Sequence, residues 1–172
     1  MKKYLVIGNP IEHSLSPKLH NYWFEKNNID ANYSKRKIDK NEIQEVILEI
    51  KDKKLDGINV TVPFKSDVIP FLDALSEESK ITQSVNTIYK HDDKLIGHNT
   101  DIKGFELSLR ETHFNLKDKK IFVLGAGGVV PSIIYALEKS SVSKIIVSNR
   151  TKGKAEDLKK NFPNIYVVDW GN

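Results

Sequence analysis

The sequence predicts an α/β protein with mostly parallel sheets, because apolar strand-like segments alternate with helix-like segments along its whole length. Its 172 residues, 39% hydrophobic and 29% charged, suffice for one ordinary domain or two small ones with a buried core. The chain contains no Cys. This excludes a disulfide scaffold, a Cys-ligated zinc site, an iron–sulfur cluster and thiol catalysis.

The first part of the chain predicts one α/β domain. Apolar residues in segment 41–54 lie at helical spacing, and Ser16 before Pro17 has the pattern of a capped helix N-terminus. We expect strands at residues 3–8, 32–38, 56–63, 85–89 and 94–97, with a hairpin turn at 91–93. We expect helices at residues 17–27, 41–54, 65–75 and 101–112, the third interrupted at Pro70.

A charged stretch at residues 115–120 predicts a linker, so we place two domains at residues 1–114 and 115–172. Residues 121–124 are all apolar, as in a strand that is buried on both faces. A helix to about residue 140, a strand at 144–148, a helix at 153–160 and a strand at 165–168 follow. Because a complete doubly wound sheet has about six strands, we expect the second domain to be incomplete.

The turn after the strand at 121–124 contains Gly125, Gly127 and Gly128. Where a strand enters a helix through such a turn, glycine lets the backbone approach a pyrophosphate, and the helix N-terminus supplies N–H groups. The third glycine of the usual fingerprint is replaced by Val130, so a plain strand-to-helix turn is the alternative. The pattern predicts a Rossmann-type dinucleotide site.

The end of the next strand predicts which dinucleotide binds. In NAD-binding folds an acid at this position binds the ribose, but this strand ends in Asn149-Arg150-Thr151. A guanidinium suits a 2′-phosphate, so Arg150 favours NADP over NAD. A surface ion pair is the alternative for Arg150. Lys154, one helical turn later, either reinforces the phosphate site or is simply solvated.

Polar residues of the first domain predict a site for a small polar ligand. Ser14 and Ser16 point the same way in an extended loop, and paired hydroxyls suit a carboxylate or a vicinal diol. For Ser16 the alternative is a helix cap. Asn59 and Thr61 alternate with apolar residues on one strand, and Lys65 follows them. Ligands bind at the carboxyl ends of parallel strands, where Thr61 and Lys65 fall; a half-exposed strand is the alternative.

Two further polar groups, Asn86-Thr87 and Asn99-Thr100-Asp101, each come near the end of a strand-like segment. For Asp101 the alternative is a cap for the helix that follows. The five His residues show no metal-ligand spacing with acids, so we predict no metal site.

The net charge of +4 raises the question of a nucleic-acid partner. Only three of the basic residues are Arg, and the lysines are spread along the chain beside acids. Nucleic-acid grooves concentrate charge and use Arg, so we predict none. The charge-free run at 121–137 is shorter than a membrane span, and the N-terminal apolar stretch is too short for a signal peptide. We therefore expect a cytoplasmic protein without a membrane partner.

Taken together, these stretches resemble the shikimate dehydrogenase family. The motifs follow the family's order over nearly the whole chain: Gly8-Asn9-Pro10 with His13-Ser14-Leu15-Ser16-Pro17 and His20-Asn21, Asn59-Val60-Thr61-Val62-Pro63-Phe64-Lys65, Val85-Asn86-Thr87, Gly97-His98-Asn99-Thr100-Asp101 with Gly104-Phe105, Gly125-Ala126-Gly127-Gly128, and Asn149-Arg150-Thr151. The family reduces 3-dehydroshikimate to shikimate with NADPH in aromatic amino-acid biosynthesis. The resemblance therefore implies an NADP-dependent oxidoreductase.

The resemblance also implies a role for each matching residue. Ser14 and Ser16 would bind the carboxylate of the substrate. Lys65 and Asp101, which also contact the substrate, would form the catalytic pair. The hydroxyls of the substrate would be bound by Asn59, Thr61, Asn86 and Asp101. The cofactor would contact Gly125, Ala126, Gly127, Gly128, Val129, Asn149, Arg150, Thr151 and Lys154.

The family's nucleotide-binding domain continues well beyond residue 172, so the resemblance implies a C-terminally truncated form. The missing part carries the wall on the nicotinamide side and a glutamine that touches substrate. Two alternatives therefore stay open: a quinate/shikimate dehydrogenase that uses NAD, and a non-catalytic module that binds shikimate. The exposed edge of a half-built sheet favours association or disorder, and a homodimer is the candidate assembly.

Overall fold

The structure, a computed structural model, describes residues 1–171 and divides into two compact units, residues 1–99 and the part from Thr100 onward. The predicted α/β class with mostly parallel sheets is confirmed. No helix in the described part of the chain is both long and apolar enough to cross a bilayer.

The first unit contains one sheet and three α-helices. Its strands are β1 (Lys2–Gly8), β2 (Ala31–Lys37), β3 (Gly57–Val60), β4 (Ala74–Leu75), β5 (Thr87–His91) and β6 (Lys94–His98). Its helices are α1 (Ser16–Lys26), α2 (Ile43–Lys51) and α3 (Glu77–Thr82), with 3-10 turns at Lys40–Glu42 and Ile69–Phe71. The strand order is β2-β1-β3-β5-β6-β4. β1 pairs in parallel with β2 and β3, and β5 and β6 form the predicted antiparallel hairpin.

The two faces of this sheet carry different layers. Ile7 is fully buried in the main core, to which α2 contributes its apolar side. Val6 points to the opposite face, where it packs with Tyr33 and with Phe24 of α1. Because the parallel register aligns Val6 with Asn59, the Asn59 side chain lies on the α1 face as well. The polar residues of β3 therefore face the side of the sheet that carries α1.

The segment 65–75 is not the predicted α-helix. It forms turns, the 3-10 helix Ile69–Phe71 and the short strand β4. Pro70 lies at the start of that 3-10 helix and has no N–H with which to continue an α-helix. The six-residue helix α3, which the sequence did not predict, begins where the Ser76 hydroxyl accepts the Ser79 N–H.

The second unit alternates helices and parallel strands. Its elements are α4 (Asp101–Glu111), β7 (Lys120–Leu124), α5 (Val130–Lys139), β8 (Lys144–Ser148), α6 (Lys152–Asp157), a 3-10 turn at Leu158–Lys160, and β9 (Tyr166–Val168). The strands lie in the order β7-β8-β9. Phe105 and Leu109 of α4 pack against the core of this unit. The two units therefore divide before α4, whereas the sequence predicts a domain boundary after residue 114.

The apolar sequence of β7 predicted a strand that is buried on both faces. In the structure only one face of β7 is covered. Ile121 and Val123 pack against the core, whereas Phe122 and Leu124 are 51% and 68% exposed. β7 lies at the edge of the sheet, and its side chains alternate between the two faces. An apolar run alone does not show which of those faces is covered.

Candidate functional site

A pocket of about 350 Å³ opens in the first unit on the face of the sheet that carries Val6. Its polar lining consists of His13, Ser14, Ser16 and Thr61, and its apolar lining consists of Val6, Pro10, Ile11 and Val62. The pocket thus combines hydroxyl groups with an apolar wall. This combination suits a small ring that carries polar substituents.

The loop that carries Ser14 and Ser16 is held by short-range hydrogen bonds. The Ser14 N–H donates to the Ile11 carbonyl at 3.0 Å, and the Ser16 N–H donates to Ser14 Oγ at 3.4 Å. Helix α1 begins at Ser16, and the residue at its N-cap is Leu15, which makes no side-chain cap bond. The alternative of a helix cap for Ser16 is therefore wrong. The Ser16 side chain instead lines the pocket.

Thr61 lies against the end of β1. The Thr61 N–H donates to the Ile7 carbonyl at 2.9 Å, and the Asn9 N–H donates to the Val62 carbonyl at 3.0 Å. A Cβ atom on Gly8 would come within 2.6 Å of Thr61 Cγ2. Glycine at position 8 therefore permits the close approach that brings Thr61 to the pocket.

Four polar side chains form a continuous series of hydrogen bonds from β2 to β5, which we call the hydroxyl–amide chain. Tyr33 Oη donates to Asn59 Oδ1 at 2.6 Å. Asn59 Nδ2 donates to Thr87 Oγ1 at 3.0 Å and to the Asn86 carbonyl at 3.1 Å. Thr87 Oγ1 donates to Asn86 Oδ1 at 3.0 Å. These contacts fix the orientation of the Asn59 amide.

Lys65 and Asp101, the predicted catalytic pair, belong to different units. The Lys65 carbonyl accepts the Val85 N–H at 2.8 Å, so Lys65 lies beside the segment that leads to Asn86. Asp101 is the first residue of α4, and Thr100 occupies the N-cap without a side-chain cap bond, so the cap alternative for Asp101 is wrong. The first unit thus contains six of the predicted substrate residues, namely Ser14, Ser16, Asn59, Thr61, Lys65 and Asn86.

The glycine turn of the second unit is tied to the end of β8. Gly125 has a φ of +114°, which favours glycine, and its N–H donates to the Ser148 carbonyl at 2.7 Å. The Ala126 N–H donates to Asn149 Oδ1 at 3.1 Å, and Asn149 Nδ2 donates to the Thr151 carbonyl at 2.8 Å. The Asn149 side chain therefore braces the turn against the loop that carries Arg150.

The turn leaves room for a phosphate group. A Cβ atom on Gly127 would meet nothing within 4 Å, so packing within the protein does not require glycine there. Close approach of a ligand to the backbone does require it. Gly128 and Val129 continue the turn, and Val129 occupies the N-cap of α5. The residues present therefore fit a dinucleotide pyrophosphate.

Two exposed cations lie beyond the end of β8. Within residues 1–171, the side chains of Arg150 and Lys154 form no ion pair or hydrogen bond, whereas Lys152 pairs with Asp169 at 2.6 Å. The alternative of a surface ion pair is therefore wrong for Arg150. Two unpaired cations next to the braced turn suit a phosphate monoester such as a 2′-phosphate.

The sequence patterns did not predict a role for Tyr33 or for the His20-Asn21 motif. Asn21 clamps the Tyr33 backbone, since its Nδ2 donates to the Tyr33 carbonyl and its Oδ1 accepts the Tyr33 N–H, both at 2.8 Å. The His20 ring stacks on the Tyr33 ring at 4.3 Å. Tyr33 is also the one buried residue in the otherwise polar strand β2. That isolated aromatic residue was the available signal.

Comparison with known proteins identifies two matching families. The family described as "Shikimate dehydrogenase substrate binding domain" matches residues 6–88. The family described as "Shikimate / quinate 5-dehydrogenase" matches residues 106–169. The two matches fall on the first and second units, respectively.

Proteins described as shikimate dehydrogenases match almost the whole chain. Shikimate dehydrogenase (NADP(+)) of Pelagibacter ubique (strain HTCC1062) is 60% identical over 99% of this chain and 64% of its own length. Shikimate dehydrogenase from Aquifex aeolicus superposes with a TM-score of 0.90 at 41% identity, over 98% of this chain and 62% of its own. Shikimate 5-dehydrogenase from Thermus thermophilus in complex with NADP(H) and shikimate gives a TM-score of 0.87 at 30% identity, over 98% and 63%. The chain thus spans less than two thirds of each relative.

Proposed function

The chain belongs to the shikimate dehydrogenase family, and we propose that it catalyses the reversible reduction of 3-dehydroshikimate to shikimate with NADPH, in aromatic amino-acid biosynthesis. The observation that carries this proposal is the pocket of the first unit, which Ser14, Ser16 and Thr61 line with hydroxyl groups. In this proposal residues 1–114 bind and transform the substrate. Residues 115–172 supply a partial NADP site.

The chemistry of shikimate matches the chemistry of the pocket. Shikimate is a six-membered ring with a carboxylate at one end and hydroxyls at the other. The hydroxyls of Ser14 and Ser16 can donate to the carboxylate. Both Nδ2 protons of Asn59 are already engaged, so Asn59 offers a ring hydroxyl only the lone pairs of Oδ1. Thr61 and Asn86 are proposed for the remaining hydroxyls.

Lys65 and Asp101 are proposed as the catalytic pair. When bound, NADPH supplies a hydride to the carbonyl carbon of 3-dehydroshikimate. The carbonyl oxygen then gains negative charge and requires a proton. The Lys65 ammonium can stabilise that charge and supply the proton, which completes the alcohol. Asp101 is proposed to act together with Lys65 in that step.

The second unit is proposed to bind the phosphates of NADP. The turn at Gly125–Gly128, braced by Asn149, would hold the pyrophosphate, and Arg150, Thr151 and Lys154 would bind the 2′-phosphate of the adenosine. Ala126 and Val129 complete the proposed contact surface. The lack of an ion-pair partner for Arg150 within residues 1–171 supports the preference for NADP over NAD.

The test is the rate of NADP reduction with shikimate, measured for the 172-residue chain and for Lys65→Ala. Loss of a general acid–base group lowers kcat by about 10²- to 10⁴-fold. Lys54→Ala, at an exposed lysine of the same unit, serves as the control and should keep the parent rate. A Lys65→Ala variant with kcat within a few-fold of the parent would contradict the mechanism.

The same assays decide between the two alternatives. The first alternative is a module that binds shikimate without turnover. Calorimetric binding of shikimate together with no turnover would establish that module. The family description that names quinate favours a quinate/shikimate dehydrogenase. Faster turnover with quinate and NAD than with shikimate and NADP would establish that enzyme instead.

The remaining features of the proposal concern location and assembly. We propose a cytoplasmic protein whose partner is its small-molecule substrate, without nucleic acid or membrane, and with a homodimer as the candidate assembly. Sedimentation of the chain at several concentrations measures the assembly directly.

A further inference from the structure

Tyr33 lies behind the pocket rather than in it. Tyr33 is 4% exposed and Asn59 is partly exposed, and neither is among the residues that line the pocket. The Tyr33 hydroxyl nevertheless donates to Asn59, which is proposed to bind substrate. Tyr33 is therefore placed to act on the ligand through other residues.

Tyr33 is held in place at both its backbone and its ring. Asn21 makes two hydrogen bonds of 2.8 Å with the Tyr33 backbone, and the His20 ring lies parallel to the Tyr33 ring, with an interplanar angle of 6°. Val6 packs against it in the same small core. This fixation gives a physical role to the His20-Asn21 motif, because a tyrosine held at backbone and ring presents its hydroxyl at one point.

Proton counting fixes the direction of the hydroxyl–amide chain. A tyrosine hydroxyl has one proton, which Tyr33 donates to Asn59 Oδ1. Burial raises the pKa of the Tyr33 hydroxyl above its ordinary value, so the hydroxyl stays a donor over the range in which proteins work. Asn59 in turn gives both its protons to β5 and its preceding residue.

In this arrangement the carboxylate end and the hydroxyl end of the ligand depend on different residues. A carboxylate needs a donor, and the hydroxyls of Ser14 and Ser16 can supply it whether or not the Tyr33 hydroxyl is present. A ring hydroxyl needs Asn59 Oδ1 at a fixed place, and besides the two bonds from Asn59 Nδ2, Tyr33 supplies the bond made to Oδ1 itself. Loss of the Tyr33 hydroxyl therefore affects the hydroxyl end and spares the carboxylate end.

We infer that Tyr33 is a positioning residue that holds Asn59 Oδ1 as the acceptor for a ring hydroxyl. It thereby sets the preference of the pocket for a hydroxylated ring over a bare one. This inference rests on the proposed function and deepens it, because it assigns the selectivity of the site to a residue that does not contact the substrate.

The test compares two ligands on the full 172-residue chain, shikimate and cyclohex-1-ene-1-carboxylate, which keeps the ring and carboxylate but has no hydroxyls. Tyr33→Phe should weaken shikimate binding by about fivefold to tenfold, the typical worth of one hydrogen bond. It should leave the bare acid within about twofold, since no bond to it depends on Asn59. Calorimetry or competition binding measures both constants.

Tyr4→Phe is the matched control. Tyr4 stands opposite Tyr33 in the neighbouring strand and on the same face, and within residues 1–171 its hydroxyl forms no hydrogen bond. This variant should bind both ligands like the parent. A second measurement uses the parent chain alone: shikimate should shift the NMR signals of the Asn59 side-chain amide, and the bare acid should leave them in place.

Each other outcome overturns a definite claim. If the parent chain fails to bind shikimate, the proposed function is wrong and this inference falls with it. If the parent binds but Tyr33→Phe has unchanged selectivity, or loses both ligands equally, the inference alone is wrong. If Tyr33→Phe does not fold, an Asn59 amide that responds equally to both ligands in the parent chain overturns the inference.

Discussion

The two candidate sites hold their polar groups in opposite ways. In the first unit, Tyr33, Asn59 and Thr87 are neutral, partly or fully buried, and linked by hydrogen bonds. In the second unit, Arg150 and Lys154 are charged and exposed, and the described residues give them no partner. A preorganised neutral site selects by shape and hydrogen-bond direction. An exposed cationic site attracts by charge, which makes it sensitive to salt.

Among the changes that test this comparison, the largest expected effect comes from removing a charge at the site of the second unit. Arg150→Ala should weaken NADP binding by about 10- to 100-fold, because a hydrogen bond to a charged group is worth more than a neutral one. Binding of NAD, which lacks the 2′-phosphate, should change little. Calorimetric titration with each dinucleotide measures the difference. Lys152→Ala is the matched control and should stay within about threefold, since Lys152 is an exposed residue paired with Asp169. Equal losses for NADP and NAD would refute the role of Arg150.

The next largest effect comes from a substitution at Gly8, where the backbone approaches Thr61 of the neutral site. Gly8→Ala should lower the free energy of unfolding by about 1–3 kcal/mol, because the new methyl meets Thr61 Cγ2 at 2.6 Å and overpacks the contact. Shikimate binding should fall with it as Thr61 moves. Chemical denaturation and calorimetry measure the two quantities. Gly104→Ala, where a Cβ meets nothing within 4 Å, is the control and should stabilise helix α4. Equal stability of the two variants would argue against the close approach at Gly8.

A salt series sharpens the comparison directly. Raising the ionic strength tenfold should weaken NADP binding by several-fold, because the phosphates meet exposed charges that salt screens. Shikimate binding should change by less than about twofold, because all the first-unit residues proposed to bind it except Lys65 are neutral. The measurement is the dissociation constant of each ligand over the series. Parallel slopes for the two ligands would show that the sites do not differ as described.

The smallest expected effect concerns pH. Burial lowers the pKa of His20, so the unfolded chain binds a proton more readily than the folded protein does. This contribution to stability is fully present above the ordinary His pKa of about 6.5, and it is lost as the pH falls through the lower folded-state value. The difference in Tm between the parent and His20→Phe should therefore be smaller at pH values above this window than within it. A parent whose stability rises as the pH falls through that window would contradict the sign.

Local patterns in the sequence predicted much of both sites. The alternation of apolar residues with Asn59 and Thr61 predicted a shared polar face, and the glycine turn followed by Arg150 predicted the phosphate site. These features depend on residues close in sequence. They could therefore be inferred without knowledge of how the strands pair.

Features that depend on distant residues could not be predicted. Tyr33 meets Asn59 across 26 residues, and only the strand order β2-β1-β3 brings the two together. The same holds for β7, whose apolar sequence does not reveal that Phe122 is exposed. It also explains Ser16, which resembled a helix cap in the sequence but lines a pocket to which the distant residue Thr61 contributes.

The most direct test of the account is an NMR titration of the isotope-labelled chain with shikimate. We predict that the largest shift changes fall on Ser14, Ser16 and Thr61 and on the Asn59 side-chain amide, all in the first unit. Changes that are absent, or that concentrate on a surface away from this pocket, would contradict the claim that the hydroxyl-lined pocket holds the substrate.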